Sequence, residues 1–196
     1  MNAKKILITL LAVVLLIGGT IGGTLAYLAA QTDEVVNTFT VGKIEIDLDE
    51  TPLVGGKWVG KVVPGGEQEK KPVVTVKAGS ESCYVYVCVT VENNIKVTVN
   101  GAQVDAVTTD LNTTDWEEVG TSGNKTVYRY KEIVNAASAD VAKTVFNKVS
   151  YSSEITETNI GTLANLKITV DAYAHQSEHT TQSVADAAAK THFGIS

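Results

Sequence analysis

Cys83-Tyr84-Val85-Tyr86-Val87-Cys88-Val89-Thr90-Val91 decides the fold class of this 196-residue chain. Successive strand side chains point to opposite faces, so Val85, Val87, Val89 and Val91 share one face and Tyr84, Tyr86 and Thr90 the other. Substantial residues on both faces, of the β-branched and aromatic types that fit a pleated surface, mark a central strand covered on each side. The same run holds both cysteines of the chain. Cys83 and Cys88 point to opposite faces, and Cα atoms five residues apart in a strand lie roughly 16 Å from each other, beyond the disulfide limit of about 7 Å. They read as small buried hydrophobes, so the domain has to rest on its apolar core, which its length allows.

Outward from this run, alternation of period two predicts strands over Lys57–Val63, Val73–Ala78, Ile95–Val99, Gln103–Val107, Trp116–Val119, Thr126–Ile133, Thr144–Tyr151 and Leu166–Ala174. Thr38–Asp49 alternates too, but its apolar phase shifts from odd (Phe39, Val41) to even (Ile44, Ile46, Leu48), and Gly42 at the shift predicts a β-bulge. Asn100-Gly101 is a type I′ hairpin dipeptide. Gly120–Asn124 reads as a longer turn, Pro64-Gly65-Gly66 as a loop, and the charged Glu67–Lys71 beyond it as solvated. About nine strands with close turns give an all-β fold, an antiparallel β-sandwich of jelly-roll or immunoglobulin-like kind. Two short peripheral helices are expected, over Asn135–Lys143 and Ser183–Lys190, the latter opened by a capping box at Ser183-Val184-Ala185-Asp186.

Lys4 and Lys5, the apolar stretch Ile6–Ile17 and the small residues after it have the order of an export signal. Between Lys5 and Asp33 no charge occurs, so a retained membrane anchor is the competing reading; Gly18, Gly19, Gly22 and Gly23 disfavour it, since each costs about 1 kcal/mol relative to alanine in a helix. Cleavage is expected after Ala26 in Thr24-Leu25-Ala26-Tyr27, with membrane contact only through the signal peptide. That leaves residues 27–196 as one domain. Removing two lysines and no acid moves the formal charge from −6 to −8. Nucleic acid is then no partner, because phosphate binding needs a basic patch and the lysines here are scattered among acids.

Catalytic patterns are sparse. His175-Gln176-Ser177-Glu178-His179 matches the H-x-x-E-H pattern of inverted zinc peptidases, in which two histidines on one helical face hold zinc and the glutamate acts as general base. That chemistry needs a helix, whereas Ile168, Val170, Ala172 and Ala174 alternate as a strand leading into it, and His192 is the one further histidine. No G-x-S-x-G elbow occurs, and the acid pairs Glu117-Glu118 and Asp47-Asp49 read as exposed strand faces. The sequons at Asn112 and Asn124 read as turn residues. No cofactor is expected.

Several stretches together resemble the TasA and camelysin family of Gram-positive bacteria, exported through a SipW-type signal peptidase. They are Gly22-Gly23-Thr24-Leu25-Ala26-Tyr27-Leu28 in the leader, Asn37–Ile44 continuing to Leu48, Lys77–Val85, and Asp171-Ala172-Tyr173-Ala174-His175-Gln176-Ser177-Glu178 near the end. His175, where an aliphatic residue is expected, and the His192-Phe193 tail depart from the pattern. The resemblance implies a jelly-roll sandwich, a secreted or cell-surface location, and assembly into biofilm-matrix fibres in which the N-terminal strand of one subunit completes the sheet of the next. Residues 27–41 are the candidate donor strand, with Tyr27 and Leu28 as its apolar tip and Phe39 and Val41 as pocket anchors. The alternatives are a camelysin-like zinc metallopeptidase using His175, Glu178 and His179, a monomeric surface module presenting loops such as Asp110–Asp115, and pairing of the N-terminal strand within its own subunit.

Overall fold

The computed structural model describes residues 42–52 and 60–195. Within them every strand pairing is antiparallel. The strands are β1 (Ile46–Thr51), β2 (Glu67–Glu69), β3 (Lys71–Val76), β4 (Ser80–Glu92), β5 (Lys96–Val99), β6 (Ala102–Asp105), β7 (Val107–Thr109), β8 (Trp116–Ser122), β9 (Lys125–Tyr130), β10 (Val134–Ala136), β11 (Val141–Thr144), β12 (Lys148–Tyr151) and β13 (Lys167–Gln176). A 3₁₀ turn at Ile160–Asn165 and one α-helix, α1 (Gln182–Phe193), complete the described elements.

β4 is the central strand its two-faced sequence demands. Along one edge it pairs with β13, from Cys83 opposite Gln176 to Glu92 opposite Lys167. Along the other it pairs with β9 and, near its start, with β10. β8 then pairs β9, so this layer runs β13-β4-β9-β8. The facing layer is a curled pair of chain paths. β2 and β3 follow one another with only Lys70 between them, and β11 and β12 lie antiparallel to them across a bend at Val145–Asn147. β1 adds to the β3 side and β7 to the β12 side.

Val85, Val87 and Val89 face Val74, Val76, Val145, Phe146, Val149, Ile168, Val170 and Trp116 in one buried core. Full burial of such side chains is worth about 1.5–3 kcal/mol each, which is how a domain whose Cys83 and Cys88 remain free thiols holds together. Trp116 anchors β8: its indole N–H donates to Thr144 O at 2.9 Å, and its ring meets Tyr130 edge-on at 5.4 Å.

Several expectations are corrected. Glu67–Lys71 is solvated only in part: Glu67 and Glu69 are exposed, but the stretch forms β2 and enters β3, and Lys70 is 1% exposed with its ammonium 2.6 Å from the Glu50 carboxylate. A tertiary partner on β1 makes that burial possible, and no local pattern encodes it. Asn135–Lys143 is not a helix but β10, a bend and β11. Val134 and Ala136 bury on alternate positions, while Asn135 caps Ala137 N and Asp140 accepts from Ala78 N, so the polar side chains serve turns rather than a helix.

The expected strand at Thr144–Tyr151 is broken at Val145–Asn147 by the bend, and Gln103–Val107 is divided between β6 and β7. Gly60–Val63 is not a strand, and residues 57–59 lie outside the described ones. Gly42 precedes β1, and the residues before it, on which the expected bulge depends, lie outside the described ones; a Cβ at Gly42 would stand 2.8 Å from Glu81 Cγ. Asn100-Gly101 forms the expected hairpin, with φ of 50° and 84°. The Gly120–Asn124 turn contracts to Gly123-Asn124, because β8 and β9 pair up to Ser122 and Lys125 and the register shifts between Glu118 and Gly120.

Candidate functional site

The outer face of the β13-β4-β9-β8 layer carries Tyr86, Cys88 and Val127, and α1 covers it. Ala185, Ala189 and Phe193, spaced four apart, form a stripe along one side of the helix and bury with Ile195 against those residues as a second core. Thr181, not Ser183, is the N-cap, its hydroxyl accepting from Val184 N at 3.4 Å. Gly194 ends the helix at φ 67°, with Ile195 N donating back to Lys190 O at 2.9 Å, a Schellman arrangement.

Asp186 does not close a capping box, because its carboxylate is taken by the sheet. Arg129 Nη1 donates to both Asp186 oxygens at 2.8 Å, and the Tyr86 hydroxyl donates to Oδ1 at 2.9 Å. Arg129 Nη2 also donates to Glu117, and the Gln182 amide, turned oxygen-inward, accepts from both terminal nitrogens of Arg129. Arg129 is 4% exposed; such a charge persists in the interior only when paired. Burial, followed by the bond to Asp186, pushes the Tyr86 phenol well above its usual range. This cluster pins the helix to the sheet.

On the far side of the layer, β13 pairs with β4 alone among the described residues. Alternate N–H and C=O groups of an antiparallel strand point away from its partner, so a ten-residue edge offers a row of them. β1 packs beside this edge without pairing to it. A cavity of about 330 Å³ opens here. Cys88 and Asp171, opposite one another in the ladder, line it from the outer face together with Lys125 of β9, whose ammonium donates to Phe193 O at 2.8 Å, and His192 and Phe193 line it from α1; Ala172 and Leu48 line it from the inner side. Tyr173 stacks on His192 at 4.5 Å and meets Phe193 edge-on, and His192 meets Phe193 at 5.0 Å, so the cavity's wall combines the His192 and Phe193 rings with the charged Asp171 and Lys125.

The H-x-x-E-H stretch is placed otherwise than zinc chemistry needs. His175 sits near the end of β13, its Nδ1 2.9 Å from Gln176 O. Glu178 and His179 occupy the turn that follows, and His179 has φ 57°, which a helix excludes. Among the described residues, no three His, Cys, Asp or Glu side chains gather as a metal group. His192 is engaged with Tyr173. Of the acids noted in the sequence, Asp47 pairs with Lys77 at 2.8 Å, Glu117 with Arg129, and Glu118 accepts from the Thr121 hydroxyl at 2.8 Å. Asn112 caps its own turn, accepting from Thr114 N.

Thr24, Leu25, Ala26, Tyr27, Leu28, Phe39 and Val41 lie outside the described residues. Among the described ones, no helix is long and apolar enough to cross a membrane. The open β13 edge and the Arg129 cluster are not legible in the sequence. Non-local pairing creates both, and the only local trace is one arginine in the expected strand Thr126–Ile133.

Comparison with protein-family models finds no match, and neither does comparison with curated proteins.

Proposed function

We propose that this chain is a secreted cell-surface or biofilm-matrix structural protein whose subunits join by donating an N-terminal strand, residues 27–41, to the β13 edge of the next subunit. Export through a SipW-type signal peptidase, with cleavage after Ala26, would free the donor. The carrying observation is the edge itself: ten residues of β13 with no strand on their outer side among the described residues. Natural sheets blunt such edges or pair them, and a strand added there gains main-chain hydrogen bonds for affinity and side-chain pockets for specificity.

Magnitudes favour an edge with a pocket over a bare edge. Each backbone bond contributes about 0.5–1.5 kcal/mol net, while association costs ~4–15 kcal/mol in lost freedom and ordering. A short ladder alone therefore gives weak joining, and anchoring side chains have to add to it. The chain is read as structural and not as a peptidase, because the histidines of the motif stand on a strand end and a left-handed turn.

Electron microscopy of the mature chain 27–196 beside a form lacking Tyr27–Thr38 tests this reading. Fibres from the first and none from the second are expected. Monomers from both under all conditions of concentration and pH would overturn it.

A further inference from the structure

We infer that Asn100, at the tip of the β5–β6 hairpin, is a self-modifying site: its carboxamide is lost to attack by the Gly101 backbone nitrogen, leaving aspartate or isoaspartate in its place. Nucleophile and electrophile belong to one dipeptide, so the step is unimolecular. The bond from Gly101 N to Asn100 Cγ forms and the Cγ–Nδ2 bond breaks. Nδ2 departs as ammonia, carrying the proton that the Gly101 nitrogen gives up. Water then opens the five-membered imide. Cleavage at Cγ gives aspartate, and cleavage at the α-carbonyl gives isoaspartate, whose main chain runs through Cγ.

The structure separates Asn100 from the other described asparagines. The side chains of Asn93, Asn94, Asn112, Asn135 and Asn159 are held by hydrogen bonds; that of Asn100 makes none among the described residues. Asn124, Asn147 and Asn165 are followed by Lys125, Lys148 and Leu166, whose side chains crowd the attacking nitrogen. Gly101 has no side chain, its N–H makes no hydrogen bond among the described residues, and a Cβ there would meet nothing within 4 Å. The turn holds Asn100 at φ 50°, and ring closure needs that backbone to swing the Gly101 nitrogen towards Cγ. Among the described residues β5 and β6 pair only with each other, and all of β6 is exposed. A lone two-stranded hairpin is marginally stable, so its tip opens at little cost and supplies the reactive conformer.

The two products act differently on the hairpin. Aspartate tolerates the left-handed backbone and keeps the turn. Isoaspartate lengthens the main chain of a two-residue loop whose length sets the turn type, so the pairing of Val99 with Ala102 fails. The disturbance stops at the hairpin base, where Val97 is 5% exposed and Ala106 N donates to Ile95 O at 2.8 Å.

The test incubates the purified full chain at neutral pH and follows each asparagine by peptide mapping, with electron-transfer fragmentation to tell aspartate from isoaspartate. Asn100 is expected to convert at least tenfold faster than any other described asparagine and to give both products. Another of these asparagines converting first would overturn the assignment, and aspartate without isoaspartate would overturn the imide route. Gly101→Ala, compared with the parent chain in guanidinium so that folding plays no part, is expected to slow conversion at least tenfold; an equal rate would overturn the role of Gly101. In the folded isoaspartate form, amide hydrogen exchange is expected to speed up in Thr98–Gln103 and to stay unchanged in β4. Unchanged exchange in the hairpin would overturn the structural consequence.

Discussion

Arg129 shows how one residue sets the architecture around it. Its guanidinium is held by Asp186, which is 22% exposed, and by Glu117, which is 55% exposed. Removing a partner of a buried charge costs more than the pair contributes, whereas an exposed partner is screened by water. Asp186→Ala is therefore expected to destabilise the fold by about 2–3 kcal/mol, and Glu117→Ala by less than about 1 kcal/mol, as read by urea unfolding. Equal losses from the two would contradict this ranking. The cysteines give a second residue-scale expectation. Burial pushes the Cys83 thiol from 9.0 up to about 11 and raises Cys88 as well. A thiol raised in the folded state keeps its proton while the unfolded chain loses it, so stability is full below pH 9 and falls as pH rises towards 11. Replacing both cysteines with alanine should flatten that decline. Native protein at pH 8 should resist a thiol-reactive dye that labels both residues in guanidinium.

At the scale of elements, what the sequence makes legible is what local chemistry enforces. β4 follows from valines at alternate positions, the β5–β6 hairpin from Asn100-Gly101, and β13 from Ile168, Val170, Ala172 and Ala174. The failures fall where a distant partner overrides local preference. Lys70 looks solvated until Glu50 supplies a counter-charge, and Asn135–Lys143 looks helical until β4 offers an edge to Ala136 and β3 one to Val141. For α1 the presence of a helix is legible and its role is not, because Asp186 reads as a cap until Arg129 arrives from β9. The helix ends carry their own expectation. Gly194→Ala forces a side chain into φ 67° and should cost about 1 kcal/mol. Thr181→Ala, whose bond is 3.4 Å long, should cost only about 0.5 kcal/mol. A larger loss from the N-cap than from Gly194, measured by thermal unfolding, would contradict the cap assignments.

At the scale of the described domain, the two faces of the β13-β4-β9-β8 layer are both covered, one by the facing strands and one by α1, while no strand pairs with the outer side of β13 among the described residues. Under the strand-donation proposal, subunits would join sideways, along the hydrogen-bonding direction of the sheet, because both faces of the layer are covered. The edge could not be read from the sequence, since openness depends on what every other strand does. Amide hydrogen exchange along β13, compared between dilute and assembled protein, tests the central claim most directly. The outward amides of Lys167–Gln176 are predicted to exchange readily before assembly and to become protected after it, while those directed at β4 stay protected throughout. Identical protection of β13 in both states, with new protection confined to other strands, would contradict the account.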